Sequence, residues 1–363
     1  MNSTQQSDEM IPAVCQIHIL MGGRLSPSAT EAEAVLTFLT IINILAIPFT
    51  TVLNAMVIAA VKTKTRIRAN KSNILLACLA TTDLMVGVVV QPFFTALMIK
   101  IIHGEKTSGS CTVEVATQIM SNLLCEISLI HLALISGERY LAMKHPYEYN
   151  AGLVTETRLL IASGLAWLLA LILQIPLFID KSVFYRLHNS FIALCLAIIV
   201  LCHITVFREV RRHEKEISSQ QVTEEAQRKF LKDKRAFKLA AIIFVMLFLC
   251  YIPLWTSRII LTFHRNKMST ETVYECLFVT STFVIFNSLV NPLIYSVRIR
   301  QFRVAFVELA CRTTNIAEAE EIEMRLFGSP NAEVRLEAGQ QWQKSTKCGA
   351  GEGPTSSGLP VPT

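Results

Sequence analysis

Five polar side chains interrupt stretches of the sequence that are otherwise apolar, and their types are those of a hard-cation site. The five are Asp83, Ser128, Asn287, Ser288 and Asn291. The last three fall within five consecutive positions, so on a helix they lie along one stripe. A carboxylate that faces amides and hydroxyls offers the oxygen ligands that a hard cation prefers. The alternative is that each side chain only hydrogen-bonds to a neighbouring backbone group.

The composition indicates that the elements carrying these residues are membrane spans. Of 363 residues, 52% are hydrophobic and 17% are charged, and the mean hydropathy is +0.44. Soluble domains carry about 25% charged residues, so the composition argues against a cytosolic enzyme. Ten cysteines in a chain of this length are too sparse for a disulfide scaffold.

Seven apolar stretches are each long enough to cross a bilayer, which takes about 20 residues as a helix. Each contains at most one Asp, Glu, Lys or Arg. The stretches are residues 35–61, 72–99, 115–137, 159–179, 189–207, 239–257 and 276–297. Because their hydrophobicity is continuous rather than alternating, they are predicted to be helices and not barrel strands. The predicted fold is an all-α membrane protein, a seven-transmembrane helix bundle.

Basic residues are concentrated on one side of these spans. Residues 62–71 carry five Lys or Arg, residues 208–238 carry ten, and the first 33 residues carry only Arg24. The positive-inside rule therefore places the N-terminus outside the cell and the C-terminus in the cytoplasm. This distribution also accounts for the net charge of +6, so no nucleic-acid partner is expected.

Three local strings add to this pattern. They are Glu138-Arg139-Tyr140 at the inner end of span three, Cys250-Tyr251-Ile252-Pro253 in span six, and Asn291-Pro292-Leu293-Ile294-Tyr295 in span seven. Together with Asp83 in span two, they resemble the rhodopsin-like (class A) G-protein-coupled receptors. The resemblance covers residues 35–311. It implies a plasma-membrane receptor rather than an enzyme.

The resemblance also implies a mechanism. Arg139 would be held in the resting state by Glu138 and by Asp233 on helix six. An extracellular ligand would favour an outward swing of helix six about Pro253, which frees Arg139 for a heterotrimeric G protein. Arrestin and receptor kinases are the other implied partners. The five polar residues named first match the family's sodium pocket, so an allosteric sodium ion that stabilises the inactive state is expected, with no other cofactor.

The resemblance and the composition divide the chain into four parts. Residues 1–33 are the extracellular N-terminus, 34–297 the seven-helix domain, 298–311 a short amphipathic eighth helix that lies on membrane lipid, and 312–363 a largely disordered cytoplasmic tail. Within the tail, an acidic segment can form a short helix as far as Phe327. Cys311 is placed like a palmitoylated cysteine, and Asn2 begins a glycosylation sequon.

The chain departs from the family pattern at several positions. Glu114 stands where helix three usually has a cysteine, and the short loop after span four has no cysteine. The usual disulfide therefore cannot form, and Cys15 is expected to pair with Cys111 or with Cys276, unless these thiols stay unpaired. The short loop and the absence of a helix-five proline resemble the melanocortin, cannabinoid and lysophospholipid receptors.

The ligand is predicted to lie near the outer mouth of the bundle. Amine receptors carry an aspartate where this chain has Ser121, and opsins carry a lysine where it has Ile285. A typical biogenic amine and retinal are therefore not expected, and an unknown small-molecule or peptide ligand is. Glu114 and Arg258 can bind charges on the ligand, pair with each other, or face water. The candidate ligand residues are Glu114, Gln118, Ser121, Asn122, Tyr251, Trp255 and Arg258.

A second function class remains open from the sequence. Asp83, Glu126 and His131 lie within spans, and ionisable residues in such positions also form proton relays. The chain would then be a seven-helix transporter or a proton-conducting protein. Glu126 needs a hydrogen-bond partner or a proton in either case, and the sequence identifies no partner for it.

Overall fold

The computed structural model describes residues 30–103, 108–219, 241–257, 260, 268, 270–313 and 315–327. All regular secondary structure within these residues is helical. Seven main helices account for most of the described residues up to Arg298, with short helical turns between some of them. The seven are α1 (Thr30–Thr63), α2 (Ser72–His103), α3 (Ser108–Lys144), α4 (Glu156–Gln174), α5 (Lys181–Ser219), α6 (Ala241–Ser257) and α7 (Thr270–Arg298). The predicted all-α bundle is confirmed.

The helices run beyond the apolar stretches that predicted them. Of the helices within the described residues, six are long and apolar enough to cross a membrane, and α6 is a shorter apolar helix. α3 continues to Lys144 and α5 to Ser219, because Glu, Lys, Arg and Leu are good helix formers in water as well as in lipid. Hydropathy alone marks only the part of each helix that hydrocarbon would cover.

α2 changes its winding in the middle. An α-helical segment Ser72–Met85 is followed by a π-helical turn Val86–Val90 and a second α-helical segment Gln91–His103. Pro92 lies just after the π turn, and its missing N–H leaves a carbonyl of the preceding turn without its usual donor. At Gly87 a Cβ atom would lie 2.9 Å from Thr51 Oγ1, so the glycine permits close packing of α1 against α2.

The interior of the bundle combines apolar packing with buried polar residues, and much of its outer surface is apolar. One apolar cluster joins α1, α2, α3, α4 and α7, and the rings of Phe94 and Phe278 stand 5.4 Å apart within it. Large apolar side chains are exposed on α1, α4 and α5, among them Leu165 and Leu201. Such faces are those that lipid hydrocarbon would cover, whereas the buried polar residues face neighbouring helices.

One end of the bundle carries most of the basic residues and is called the basic end below. At this end Arg68 forms an ion pair with Glu156, and the Lys71 ammonium donates to the Val154 carbonyl at 2.7 Å. These contacts connect the segment between α1 and α2 to the start of α4 and to the residues just before it.

The residues after Phe302 form a separate compact unit. The predicted amphipathic eighth helix is present as α8 (Arg300–Ala310), and the short tail helix is present as α9 (Ile316–Phe327). Within this unit Arg303 Nε donates to Glu323 Oε1 at 2.8 Å, and Val304 and Val307 pack on Ala319.

Candidate functional site

Four of the five predicted cation-site residues come together in the interior of the bundle, and the fifth, Asn287, is buried on α7 next to Ser288. Asp83 on α2 is fully buried, and its Oδ2 accepts a hydrogen bond of 2.8 Å from Asn291 Nδ2 on α7. The hydroxyls of Ser128 on α3 and Ser288 on α7 lie beside the same carboxylate. Asn54 on α1 donates to the Ser288 carbonyl at 2.9 Å. Four helices therefore meet at one polar group.

Three buried oxygen atoms, on α2, α3 and α7, are of the kinds that bind a hard cation. Asp83 Oδ1, Ser128 Oγ and Asn287 Oδ1 are buried, and among the described residues none of them has a hydrogen-bond partner of good geometry. Buried polar atoms without partners are rare in native proteins. A carboxylate, a hydroxyl and an amide oxygen are all ligands that sodium accepts as a hard cation. The residues present therefore suit the ion that the sequence predicts.

A second polar group lies at the basic end of α3. Glu138 is 3% exposed, and its Oε2 stands 2.8 Å from Arg139 Nε. Its other oxygen accepts from Ser72 Oγ at 2.9 Å and from the Tyr149 hydroxyl at 2.5 Å. The carboxylate thus joins Arg139 to α2 and to the segment after α3. Asp233, the second predicted partner of Arg139, lies outside the described residues.

The other predicted switch residues lie on α3, α6 and α7. Tyr140 is half-buried and packs against Met143, Val206 and Val210. Pro253 is in α6 and Pro292 in α7. Tyr295 is fully buried, and its hydroxyl has no hydrogen-bond partner among the described residues.

The predicted ligand residues are brought together only in part. Gln118 Nε2 donates to Asn122 Oδ1 at 2.9 Å on α3. The Tyr251 hydroxyl on α6 lies 2.8 Å from Cys125 Sγ, a partner that the sequence did not suggest. Trp255 on α6 is half-buried, and its Nε1 has no partner among the described residues.

The remaining ligand and modification candidates are less well defined. Ser121 is half-buried on α3. The side chain of Glu114, together with Arg258, Cys15 and Asn2, lies outside what the structure describes. Cys311 is exposed just after α8, as a lipidation site requires.

Sequence reasoning missed the partners of Glu126. This residue is fully buried on α3. Its Oε2 accepts from Gln174 Nε2 on α4 at 2.8 Å, and its Oε1 lies 2.6 Å from His188 Nδ1 on α5. The His188 ring also stacks on Phe184 at 5.4 Å. Gln174 and His188 both lie near the ends of predicted spans, where polar residues are common. Their polarity was therefore the only sequence signal that they could contact Glu126.

The residues of the transporter hypothesis lie in separate hydrogen-bond groups. His131 Nε2 lies 2.8 Å from Ser163 Oγ on α4, and its Nδ1 lies 2.8 Å from the Ile127 carbonyl. Asp83 bonds to Asn291, and Glu126 to Gln174 and His188. Within the part of the chain that the structure describes, these hydrogen bonds do not join the three residues into a relay.

Comparison with known proteins agrees with this geometry. Residues 53–186 and 180–295 match the family model of the seven-transmembrane receptors of the rhodopsin family. The human histamine H2 receptor is 24% identical over 315 residues, covering 80% of this chain and 84% of the receptor. The dog adenosine receptor A2a is 28% identical over 270 residues, covering 65% of this chain and 63% of the receptor. The chain therefore belongs to the rhodopsin-like family of seven-transmembrane, G-protein-coupled receptors, which are not enzymes.

Proposed function

We propose that this receptor binds an extracellular ligand within its helix bundle and activates a heterotrimeric G protein at the basic end. The observation that carries the proposal is the buried Glu138–Arg139 ion pair, whose carboxylate also accepts hydrogen bonds from Ser72 and Tyr149 on separate parts of the chain. Such an arrangement restrains Arg139 in the resting state. The receptor then lies in the plasma membrane with its N-terminus outside the cell and its basic end in the cytoplasm.

Activation is then a population shift between two packings of the bundle. A ligand shifts the equilibrium only by the difference between its affinities for the two states. We expect α6 to move outward about Pro253, which frees Arg139 for the G protein.

The ligand site is proposed to lie in the half of the bundle away from the basic end. Gln118, Asn122, Tyr251 and Trp255 offer amide, hydroxyl and indole groups there. The relatives are named for histamine and adenosine, and we propose that this chain also binds a small organic ligand or a short peptide. Ser121 offers no carboxylate at the amine position, so we expect no amine salt bridge there.

Arrestin and receptor kinases are proposed as further cytoplasmic partners. Cys311 is proposed as a lipid attachment site because it is exposed directly after an amphipathic helix. Asn2 is proposed as a glycosylation site on the extracellular side. The sub-family resemblance to melanocortin, cannabinoid and lysophospholipid receptors stays a prediction.

A sodium ion is proposed to bind at Asp83, Ser128, Asn287, Ser288 and Asn291. The ion supplies positive charge to a buried carboxylate. The chain's own residues hold four helices in one arrangement around that carboxylate, and this arrangement is the inactive packing.

Sodium is therefore expected to raise the melting temperature of the purified receptor, and Asp83→Asn is expected to abolish this rise. At a tenfold excess of sodium over its dissociation constant, the stabilisation is about 1.4 kcal/mol, which corresponds to roughly 2–6 °C. The measurement is thermal unfolding in sodium chloride against N-methylglucamine chloride at equal ionic strength. Thr81→Ala, on the same helix but exposed, is the control. An equal sodium response in Asp83→Asn and in wild type would contradict the proposal.

The receptor mechanism is tested by replacing Arg139. In cells that express equal surface amounts of each protein, wild type is expected to give G-protein dissociation and a second-messenger signal, either without ligand or in a ligand screen. Arg139→Ala is expected to lower that signal by roughly tenfold or more, a loss of about 1.4 kcal/mol, because the coupling contact is lost while the bundle stays intact. Arg298→Ala, another basic residue at the same end, is the control.

Two outcomes would overturn the proposal. One is a G-protein signal that persists unchanged in Arg139→Ala. The other is an ion flux through the wild-type protein that persists when G-protein coupling is blocked, since that result would favour the transporter hypothesis.

A further inference from the structure

α5 carries a stripe of positive charge beyond its apolar stretch. The helix continues to Ser219, and after Phe207 it presents four cations that line one groove with that ring. They are Arg208, Arg211, Arg212 and Lys215. Their spacing follows the i, i+3, i+4, i+7 pattern, so all four lie along one face of the helix. The stripe is defined by these four residues and is called the cationic stripe below.

The cationic stripe continues the face of α5 that lipid would cover. Leu194, Leu201 and Ile204 are exposed by 57%, 64% and 43%. Arg208 and Arg211 lie seven residues after Leu201 and Ile204, which is about two helical turns along the same face. The exposed apolar face therefore changes into a positive one where the apolar stretch ends. That level is where bilayer hydrocarbon gives way to headgroups.

The opposite face of α5 is already occupied. Val206 and Val210 pack against Met143 of α3, and Glu209 Oε1 accepts from Lys144 Nζ at 2.5 Å. Arg212 lies at the border of the stripe, because its guanidinium also reaches Glu209 at 3.0 Å. These contacts fix the rotation of α5, so the cationic stripe points away from the bundle and toward the surrounding membrane.

We propose that the cationic stripe binds the phosphate-bearing headgroup of an anionic phospholipid in the leaflet at the basic end. The Arg211 guanidinium stands 4.9 Å from the Phe207 ring, an arrangement that stabilises a cation at the edge of the hydrocarbon. Arginine binds phosphate with two parallel hydrogen bonds, and Lys215 adds a further positive group one turn further from the hydrocarbon. An acidic peptide matches the charge but not the continuity with the lipid-covered face.

The test uses the full-length receptor in a neutral detergent. Native mass spectrometry measures the binding of phosphatidylinositol 4-phosphate against phosphatidylcholine for wild type and for R208Q/R211Q/K215Q. Each basic residue near an anionic headgroup contributes about 1 kcal/mol, or roughly fivefold in affinity. The triple variant is therefore expected to bind the anionic lipid at least about tenfold more weakly, with unchanged binding of phosphatidylcholine. K62Q/K64Q/R66Q, which removes the same charge from another part of the basic end, is expected to behave like wild type.

Three results would overturn the proposal. Wild-type affinity in R208Q/R211Q/K215Q would exclude a headgroup site on the stripe. An equal loss in the two triple variants would indicate only diffuse attraction to the whole basic end. Unchanged lipid affinity combined with weaker G-protein binding by R208Q/R211Q/K215Q would assign the stripe to a protein partner instead. Equal melting temperatures of the three proteins establish that the variants are folded.

Discussion

His188→Ala is expected to lower the free energy of unfolding by about 3–5 kcal/mol, the range for a buried pair that loses one partner. Glu126 is 0% exposed and His188 is 2% exposed, so water does not replace the imidazole at the carboxyl group. The variant leaves Glu126 with only Gln174 as a partner among the described residues. It also removes the contact between α3 and α5 near the proposed ligand side of the bundle. Thermal or denaturant unfolding of the purified receptor measures the loss.

A matched histidine and a rescue variant make this expectation specific. His131→Ala removes another fully buried histidine, on α3, but its partners are a hydroxyl and a carbonyl, so a loss of only about 1–3 kcal/mol is expected. Adding Glu126→Gln to His188→Ala removes the uncompensated carboxylate and is expected to restore part of the stability. If the double variant is as unstable as the sum of the single ones, the two side chains do not act as a pair.

The sequence predicted the architecture because bilayer physics leaves few choices. A run of apolar residues must satisfy its own backbone in lipid, so each of the seven stretches had to be a helix. Polar residues such as Asp83 and Asn291 were also predictable, since a polar group in a span needs a partner. Their meeting at 2.8 Å follows from the resemblance to a known family rather than from periodicity. Neither composition nor spacing determines which helices are neighbours.

The cluster around Glu126 could not be predicted for the same reason. Its partners Gln174 and His188 come from two other helices, 48 and 62 positions further along the chain. Each of them looks like a polar residue near the end of a span, where water or headgroups commonly satisfy it. The π turn in α2 has a local cause in Pro92, yet proline in a helix more often produces a simple kink. Long-range packing decides the partners of Glu126, and the residues around Pro92 do not distinguish a π turn from a kink.

Glu138→Gln is expected to raise ligand-independent signalling. The variant keeps the size of the side chain and lets Ser72 and Tyr149 still donate to it, but it removes the charge that faces Arg139. The Glu138 and Arg139 side chains are only 2% and 11% exposed, so solvent screens their attraction weakly. Two opposite charges about 4 Å apart attract by about 4 kcal/mol at the effective dielectric constant typical of a protein surface, and about 1.4 kcal/mol corresponds to a factor of ten in a two-state ratio. The inactive-to-active ratio is therefore expected to fall about tenfold or more.

Basal G-protein dissociation at matched surface expression measures this shift. Ser72→Ala removes one neutral donor to the same carboxylate and leaves the charge pair intact, so its effect is expected to be smaller, about 0.5–1.5 kcal/mol. Adding Arg139→Ala to Glu138→Gln is expected to silence the raised signal, because the freed arginine is the group that couples. A basal signal in Glu138→Gln equal to that of wild type would mean that the pair does not restrain the resting state. A raised signal that survives the loss of Arg139 would mean that Glu138 acts through its contacts with Ser72 and Tyr149, which connect α3 to its neighbours at the basic end.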